Sequence, residues 1–208
     1  DATINLIKHT SSAITVKLQD QIMQLQHNNL PQHQAANFLP VILTAFCFKM
    51  NLADIAKGLQ SYNICSARGN LIECTTSDKK FHIIDDSYNS SPVPLAASLK
   101  SFDAISEACR KIAIIGDMLE LGANEAEEHS KFVEILALSN IDFIITFGSL
   151  SKVIFDKLCG IKEVYHYSDL QDLELKLSKM IKDGDYFLIK ASYSMNLKRI
   201  VTFLCNLQ

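Results

Sequence analysis

Three short polar clusters each follow an apolar run that reads as a β-strand: Asp85-Asp86-Ser87-Tyr88-Asn89-Ser90-Ser91, Gly116-Asp117-Met118-Leu119-Glu120-Leu121-Gly122, and Lys190-Ala191-Ser192-Tyr193-Ser194. Between them they offer carboxylates, hydroxyls and an ammonium. A carboxylate at a strand end can accept hydrogen bonds from a ribose diol, and a run of Ser and Asn before a helix can hold an anionic group with hydroxyls and backbone N–H groups. That chemistry is nucleotide or peptide binding. The plainer alternative is that Asp85 and Asp86 end a strand and Ser91 caps a helix, and paired acids alone do not decide between the two. A lone Lys190 reads as a surface side chain snorkelling from a strand end, raised in interest only by Ser192 beside it. Asp117 and Glu120 read as a polar turn closed by Gly122, and His129 as a residue on a partly exposed helix face, with general-base chemistry the minor option.

Loops of this kind converge only if the strands before them lie side by side, and the pattern along the chain supplies that arrangement. Phe81–Ile84, Lys111–Ile115, Phe143–Phe147, Val164-Tyr165 and Tyr186–Ile189 are short apolar runs, each followed by a stretch of helical periodicity. Five βα units in series predict an α/β fold: a mostly parallel, Rossmann-like sheet with helices on both faces. Ligands then bind outside the carboxyl ends of the strands, where helix amino termini point their partial positive charge. Ser91 with Pro92 predicts one helix start, Ser168 with Gln171 a capping box at another, and Leu197, Ile200, Val201 and Leu204 form the buried stripe of the last helix.

The first third has a different grammar. Ala13–Leu18 alternates at period two and Ile22–Gln26 pairs near it, as edge pieces of a sheet; Ala35–Met50 is apolar at helix length, and Leu52, Ile55, Ala56 and Leu59 share one face of a second helix over 52–62. The change of pattern predicts two domains, 1–69 and 70–208.

Composition narrows the function classes. Of the 208 residues 48% are apolar, enough for a packed core, and 20 basic against 23 acidic residues leave a net charge of −3 with no basic block to neutralise a phosphate backbone. Nucleic acid is excluded as a partner on that ground. No run approaches the ~20 apolar residues of a membrane span, and the amino terminus lacks the basic and apolar regions of a signal segment, so a cytoplasmic protein without membrane insertion is expected. The six cysteines (47, 65, 74, 109, 159, 205) show no Cys-x-x-Cys pair and are expected as reduced core thiols rather than metal ligands.

Taken together, Asp85-Asp86-Ser87-Tyr88-Asn89, the Gly116–Gly122 cluster with His129 downstream, and Lys190-x-Ser192 resemble, in order and spacing, the carboxy-terminal domain of the Mur ligase family. The likeness is greatest to the branch that joins D-alanyl-D-alanine to a UDP-N-acetylmuramoyl-tripeptide. His33-Gln34-Ala35-Ala36-Asn37 resembles the His-Asn-x-x-Asn motif of the family's central domain, and Gly58-Leu59 with Ala67-Arg68-Gly69 resembles the stretch closing that domain. The resemblance implies that 1–69 is the tail of the central, ATP-binding domain and 70–208 the carboxy-terminal domain of an ATP-dependent amide ligase of peptidoglycan precursor synthesis. It further implies ATP and Mg2+ as cofactors, UDP-N-acetylmuramoyl-tripeptide and D-alanyl-D-alanine as partners, and a monomer. By the same resemblance Asn37 contacts adenine, Arg68 the ATP phosphates or ribose, and Asp86 the ribose, while Tyr88, Asn89, Ser90, Lys190 and Ser192 lie towards the incoming substrate.

The sequence also departs from the family. Gln34 stands for the first asparagine of the His-Asn motif, Ser91 for a second asparagine after Tyr-Asn-x, and the family's Lys-Gly-Ser-Arg is Lys190-Ala191-Ser192-Tyr193, without the glycine's freedom or the arginine's charge. No Gly-x-x-x-x-Gly-Lys-Ser/Thr run occurs among the 208 residues, so they are expected to be catalytically inactive by themselves, the phosphate loop and uridine-nucleotide domain of the family lying before Asp1. Two alternatives stand beside this reading: a receiver-like signalling domain with Asp117 as phosphoacceptor, and a noncatalytic, degenerate Mur-like binding domain.

Overall fold

The structure, a computed structural model, describes residues 3–10, 12–27, 35–62, 66–105 and 109–207. His33, Gln34 and Cys65 lie outside these. The chain divides into two compact units, Asp1–Ile64 and Cys65–Gln208.

Among the described residues the first unit is a three-stranded antiparallel sheet, β1 (Ile4–His9), β2 (Ala13–Leu18) and β3 (Gln21–Gln26), with helices α1 (Phe38–Cys47) and α2 (Leu52–Ser61). β2 matches the predicted strand because its period-two pattern is real: Ile14, Val16 and Leu18 are buried, and Ile14 and Val16 join Leu25, Ile42, Ile55 and Leu59 in one core cluster. β1 was not anticipated; its pairing with β2 is irregular between Leu6 and Lys8, which breaks the alternation that would have revealed it. The first helix is shorter than its apolar run because Lys49 takes a positive φ of 59° and the chain turns there. Asn51 then caps α2, its side chain accepting from Ala53 N at 2.8 Å.

The second unit contains β4 (Asn70–Thr75), β5 (Lys80–Asp86), α3 (Pro92–Asp103), β6 (Lys111–Gly116), α4 (Glu125–Ser130), α5 (Phe132–Leu138), β7 (Phe143–Phe147), α6 (Lys152–Leu158), β8 (Glu163–Tyr167), α7 (Leu170–Met180), β9 (Tyr186–Lys190) and α8 (Lys198–Cys205). The sheet order is β4-β5-β9-β6-β7-β8, with β4 antiparallel to β5 and every other pair parallel. The predicted α/β sheet is therefore present with one addition, the antiparallel edge strand β4.

Alternation along β6 divides the core. Ile112 and Ile114 cluster with Leu173 and Leu177 of α7 and Ile200 and Leu204 of α8, whereas Ala113 and Ile115 cluster with Leu99 of α3, Leu136 of α5 and Ile154 of α6. Helices thus cover both faces. Because β9 returns between β5 and β6, the direction of winding reverses there, and this switch point is where an open α/β sheet forms its ligand crevice. The parallel strands taken in chain order run 1-5-2-3-4 across the sheet, unlike the 2-1-3-4-5 order of receiver domains. The receiver reading fails on topology.

Three local expectations need correction. Asp169, not Ser168, caps α7, accepting from Gln171 N at 2.7 Å and Asp172 N at 3.2 Å. Ser91 does occupy the N-cap position of α3 with Pro92 following, yet its side chain makes no capping bond. Of the described cysteines, Cys47 and Cys159 are exposed rather than in the core. Among the described residues no helix is long and apolar enough to cross a membrane.

Candidate functional site

The register aligns Asp86 with Lys190 across β5 and β9, and Lys190 with Ile115 across β9 and β6, so the first and third polar clusters meet at one sheet edge. Lys190 Nζ lies 2.8 Å from Asp86 Oδ2 and donates to the Asn89 carbonyl at 2.9 Å. Ser98, from the second turn of α3, donates its hydroxyl to the same carboxylate oxygen at 2.7 Å. Lys190 is no surface lysine: its side chain is 3% exposed, because β9 sits inside the sheet with a strand on each side. Both donors act on Oδ2, and among the described residues Asp86 Oδ1 accepts none. Asp86 is thus locked in orientation by one oxygen and retains the lone pairs of the other.

Asp85 is turned to the opposite face and is fully buried, held by Lys198 Nζ at 2.5 Å from Oδ2 and by the Ser87 hydroxyl at 2.6 Å from Oδ1. Its backbone carbonyl accepts from Gly69 N at 2.7 Å, and Tyr88 N donates to the Ala67 carbonyl at 3.0 Å. These bonds stitch the turn carrying Arg68 to the end of β5. Ala67 and Gly69 both take positive φ, 62° and 83°, which lets the chain reverse within that short stretch. The exposed Arg68 guanidinium stacks over the Tyr88 ring at 4.2 Å, and the Tyr193 ring lies 5.9 Å from Tyr88. A cationic and aromatic surface therefore stands two residues from Asp86. Ser90 Oγ, buried in the same loop, has no hydrogen-bond partner among the described residues.

The second cluster is structural in its contacts. Asp117 is buried; its carboxylate accepts from Ser151 N at 2.7 Å and Leu150 N at 3.1 Å, holding the loop that leads into α6. Ser192 accepts from Leu119 N at 2.8 Å through its hydroxyl and donates its own N–H to the Asp117 carbonyl at 3.0 Å, so the third cluster braces the second. Glu120 and Gly122 take positive φ of 65° and 72° in the turn that closes it. Ala191 occupies the position of the family's glycine without strain because Gly116 faces it: a Cβ on Gly116 would stand 2.5 Å from that of Ala191.

His129 corrects the expectation of a half-exposed helix residue, since it is wholly buried. Its Nε2 accepts from Met118 N at 2.8 Å and so carries no proton; Nδ1 holds the ring proton and faces the Glu125 carbonyl at 2.6 Å. Both nitrogens are committed, which leaves no lone pair for a general base. His129→Ala should lower stability by about 2–4 kcal/mol, from the ring's cavity and the Met118 N–H left without its acceptor. Denaturant midpoints measure that loss. A pH–activity profile of the full-length protein that lost its acidic limb in this variant would instead restore the general-base role.

The geometry thus gathers Arg68, Asp86, Tyr88, Asn89, Ser90 and Lys190 at one edge, with Ser192 bracing the neighbouring loop. Asn37 belongs to the first unit, exposed at the N-cap position of α1 with no capping bond from its side chain. Two residues escaped the sequence reading, Ser98 and Lys198. Ser98 lies 12 residues and Lys198 113 residues beyond its aspartate, each on a helix, and no spacing rule links them. Among the described residues no group of three or more His, Cys, Asp and Glu could hold a metal ion.

Comparison with known proteins places these features. A family model described as the Mur ligase, glutamate ligase domain matches residues 68–193. The UDP-N-acetylmuramoyl-tripeptide–D-alanyl-D-alanine ligase of Bacillus subtilis is 31% identical over 175 residues, covering 83% of this chain and 38% of that protein. The ligase of the same name from Rickettsia prowazekii is 27% identical over 174 residues, covering 84% of this chain and 38% of the other. Among solved structures, the MurF ligase of Thermotoga maritima in complex with ADP aligns with a TM-score of 0.75 at 20% identity, covering 98% of this chain and 46% of that one. A crystal structure of MurF from Acinetobacter baumannii aligns with a TM-score of 0.75 at 21% identity, covering 98% and 44%. The chain spans 38% of the length of these two curated relatives.

Proposed function

Because the chain belongs to the Mur ligase family, we propose that residues 1–69 are the tail of the central ATP-binding domain and residues 70–208 the carboxy-terminal domain of a ligase that adds D-alanyl-D-alanine to UDP-N-acetylmuramoyl-tripeptide. In this reading the tripeptide's terminal carboxylate attacks the γ-phosphorus of ATP, giving an acyl phosphate and ADP. The amine of D-alanyl-D-alanine then displaces phosphate and forms the amide. We place the reaction in the cytoplasm, carried out by a monomer.

The observation that carries the reading is the pinned Asp86. A carboxylate fixed through one oxygen by Lys190 and Ser98, with the other oxygen unclaimed among the described residues, is suited to accept from a ribose hydroxyl. Arg68, on the turn stitched to the same strand end, supplies charge for the phosphates, and Asn37 contacts the adenine. Tyr88, Asn89, Ser90, Lys190 and Ser192 shape the end towards the incoming dipeptide, with the unpartnered Ser90 hydroxyl available to a substrate polar group. Their contribution is positioning and charge stabilisation, which is what phosphoryl transfer asks of a protein. Among the described residues no group of three or more His, Cys, Asp and Glu could hold magnesium, and the carboxylate oxygens of Asp85 and Asp117 are engaged internally, so magnesium would be held chiefly by the ATP phosphates. It takes no part in the roles proposed here. Lacking a Gly-x-x-x-x-Gly-Lys-Ser/Thr run, the 208 residues alone are proposed not to turn over ATP.

The test is ADP release by the full-length ligase with each substrate omitted in turn. Release that needs both UDP-N-acetylmuramoyl-tripeptide and D-alanyl-D-alanine is expected. Arg68→Ala and Asn37→Ala should raise the KM for ATP roughly 10-fold or more while leaving that for D-alanyl-D-alanine within about 3-fold, in line with 1.4 kcal/mol per decade. No turnover from a folded protein, or turnover indifferent to D-alanyl-D-alanine, would sink the assignment.

A further inference from the structure

Outside the site, one pair of nucleophilic side chains is brought together by the fold alone. Cys74 lies on the edge strand β4 and Cys205 at the last residue of α8, 131 positions apart, with their Sγ atoms at 2.9 Å. Cys74 is 5% exposed and Cys205 half-buried, packed against the same apolar cluster as Ile200, Val201 and Leu204. A disulfide needs its sulfurs about 2.05 Å apart, so closing this one asks for a sulfur displacement of under about an ångström, within the play of two χ1 angles. We infer that Cys74 and Cys205 form a modification site, a preassembled dithiol that a small-molecule disulfide oxidises to an intramolecular bond tying β4 to α8.

The chemistry runs in two exchanges. Burial and a hydrogen bond with Cys205 push the Cys74 thiol up to about 12, so Cys74 keeps its proton and the first attack falls to the more exposed Cys205. Its thiolate attacks one sulfur of the small disulfide, breaking that S–S bond; the mixed disulfide forms on Cys205 and one small thiol leaves with a proton. Cys74 sulfur then attacks Cys205 Sγ, its proton passing to the departing second thiol. Net, two protein thiols are oxidised to one disulfide and one small disulfide is reduced to two thiols. Cys47 and Cys159 are exposed, where a small disulfide would leave a mixed adduct. The bond would fasten the edge strand that follows the Arg68 turn to the helix that carries Lys198.

The 208-residue chain is treated, folded, with oxidised glutathione, in the wild-type form and in a Cys47→Ser/Cys159→Ser background, and its thiols are mapped by mass spectrometry after alkylation. A Cys74–Cys205 crosslink reversible by a dithiol is expected in both. Cys74→Ser should strand a lasting glutathione adduct on Cys205, and Cys205→Ser should leave Cys74 unmodified. The crosslinked chain should melt on the order of 5–10 °C higher, as a bond closing a loop this long constrains the unfolded chain. Retention of both as alkylatable thiols while Cys47 and Cys159 acquire glutathione overturns the inference. So does a crosslink that appears only in denaturant, or one that lowers the melting temperature.

Discussion

Asp86→Ala in the full-length protein should cost about 3–5 kcal/mol of stability, because it leaves the Lys190 ammonium buried without its counter-ion, and should lower the kcat/KM of the proposed ligase reaction by at least ~100-fold through loss of the proposed nucleotide contact. The two effects separate in a double variant. Replacing both partners with apolar side chains, Asp86→Leu with Lys190→Met, removes the uncompensated charge and should recover most of the lost stability. Activity should stay low, since the carboxylate proposed to accept from the ribose is then absent. Denaturant midpoints read the first effect and ADP release the second. Recovery of activity together with stability would show that the pair only holds the fold. Asp86→Asn is the finer probe: its amide oxygen can still accept from Ser98, so stability should fall by less than in the alanine variant while the affinity for ATP still falls.

Gly148→Ala is expected to be the most destabilising small substitution at the sheet edge. Its φ of +106° is a conformation L side chains rarely adopt, and an added Cβ would stand 2.5 Å from both Asp117 Oδ2 and Met195 Cε. The methionine can yield, but the carboxylate cannot, because it accepts from Leu150 N and Ser151 N at the entrance to α6. Backbone strain and the displaced clamp together should cost roughly 3 kcal/mol, seen as a drop in melting temperature on the order of 6–12 °C for a chain of this size. Gly122→Ala is the control: it also has a positive φ, +72°, but nothing lies within 4 Å of its added Cβ, so it should cost only about 1 kcal/mol. Equal losses in the two variants would mean that the Asp117 clamp is not rigid.

Both predictions depend on contacts whose visibility in the sequence differs. The α/β class and the five parallel strands could be read directly, since each buried strand is a short apolar run and each crossover helix carries its own stripe. Edge strands β1 and β4 could not, because exposed apolar residues blur their period-two pattern, Ile7 beside Lys8 in β1 and Leu71 in β4. The polar clusters at 85–91, 116–122 and 190–194 stood out for a related reason. Asp, Ser, Asn and Gly interrupt apolar runs wherever strands end, and in a parallel sheet those ends share an edge.

What these residues do once gathered was less legible. Lys190 read as a surface lysine and proved a buried ion-pair partner; His129 read as half-exposed and proved a fully bonded brace; Asp117 read as a turn residue and proved the clamp on the loop entering α6. Each error has the same origin, that burial and hydrogen-bond partners depend on which strand lies next to which. The composition, the local periodicity and the strand-end motifs belong to the sequence by itself, because they follow from near neighbours in the chain. The return of β9 between β5 and β6 is not local, and it alone aligns Lys190 with Asp86. Packing of α3 and α8 on opposite faces then delivers Ser98 to one aspartate and Lys198 to the other, and meets Cys74 with Cys205 across 131 positions. Those pairings were the work of tertiary structure, because a side chain's partner is set by the path of the whole chain rather than by its own segment.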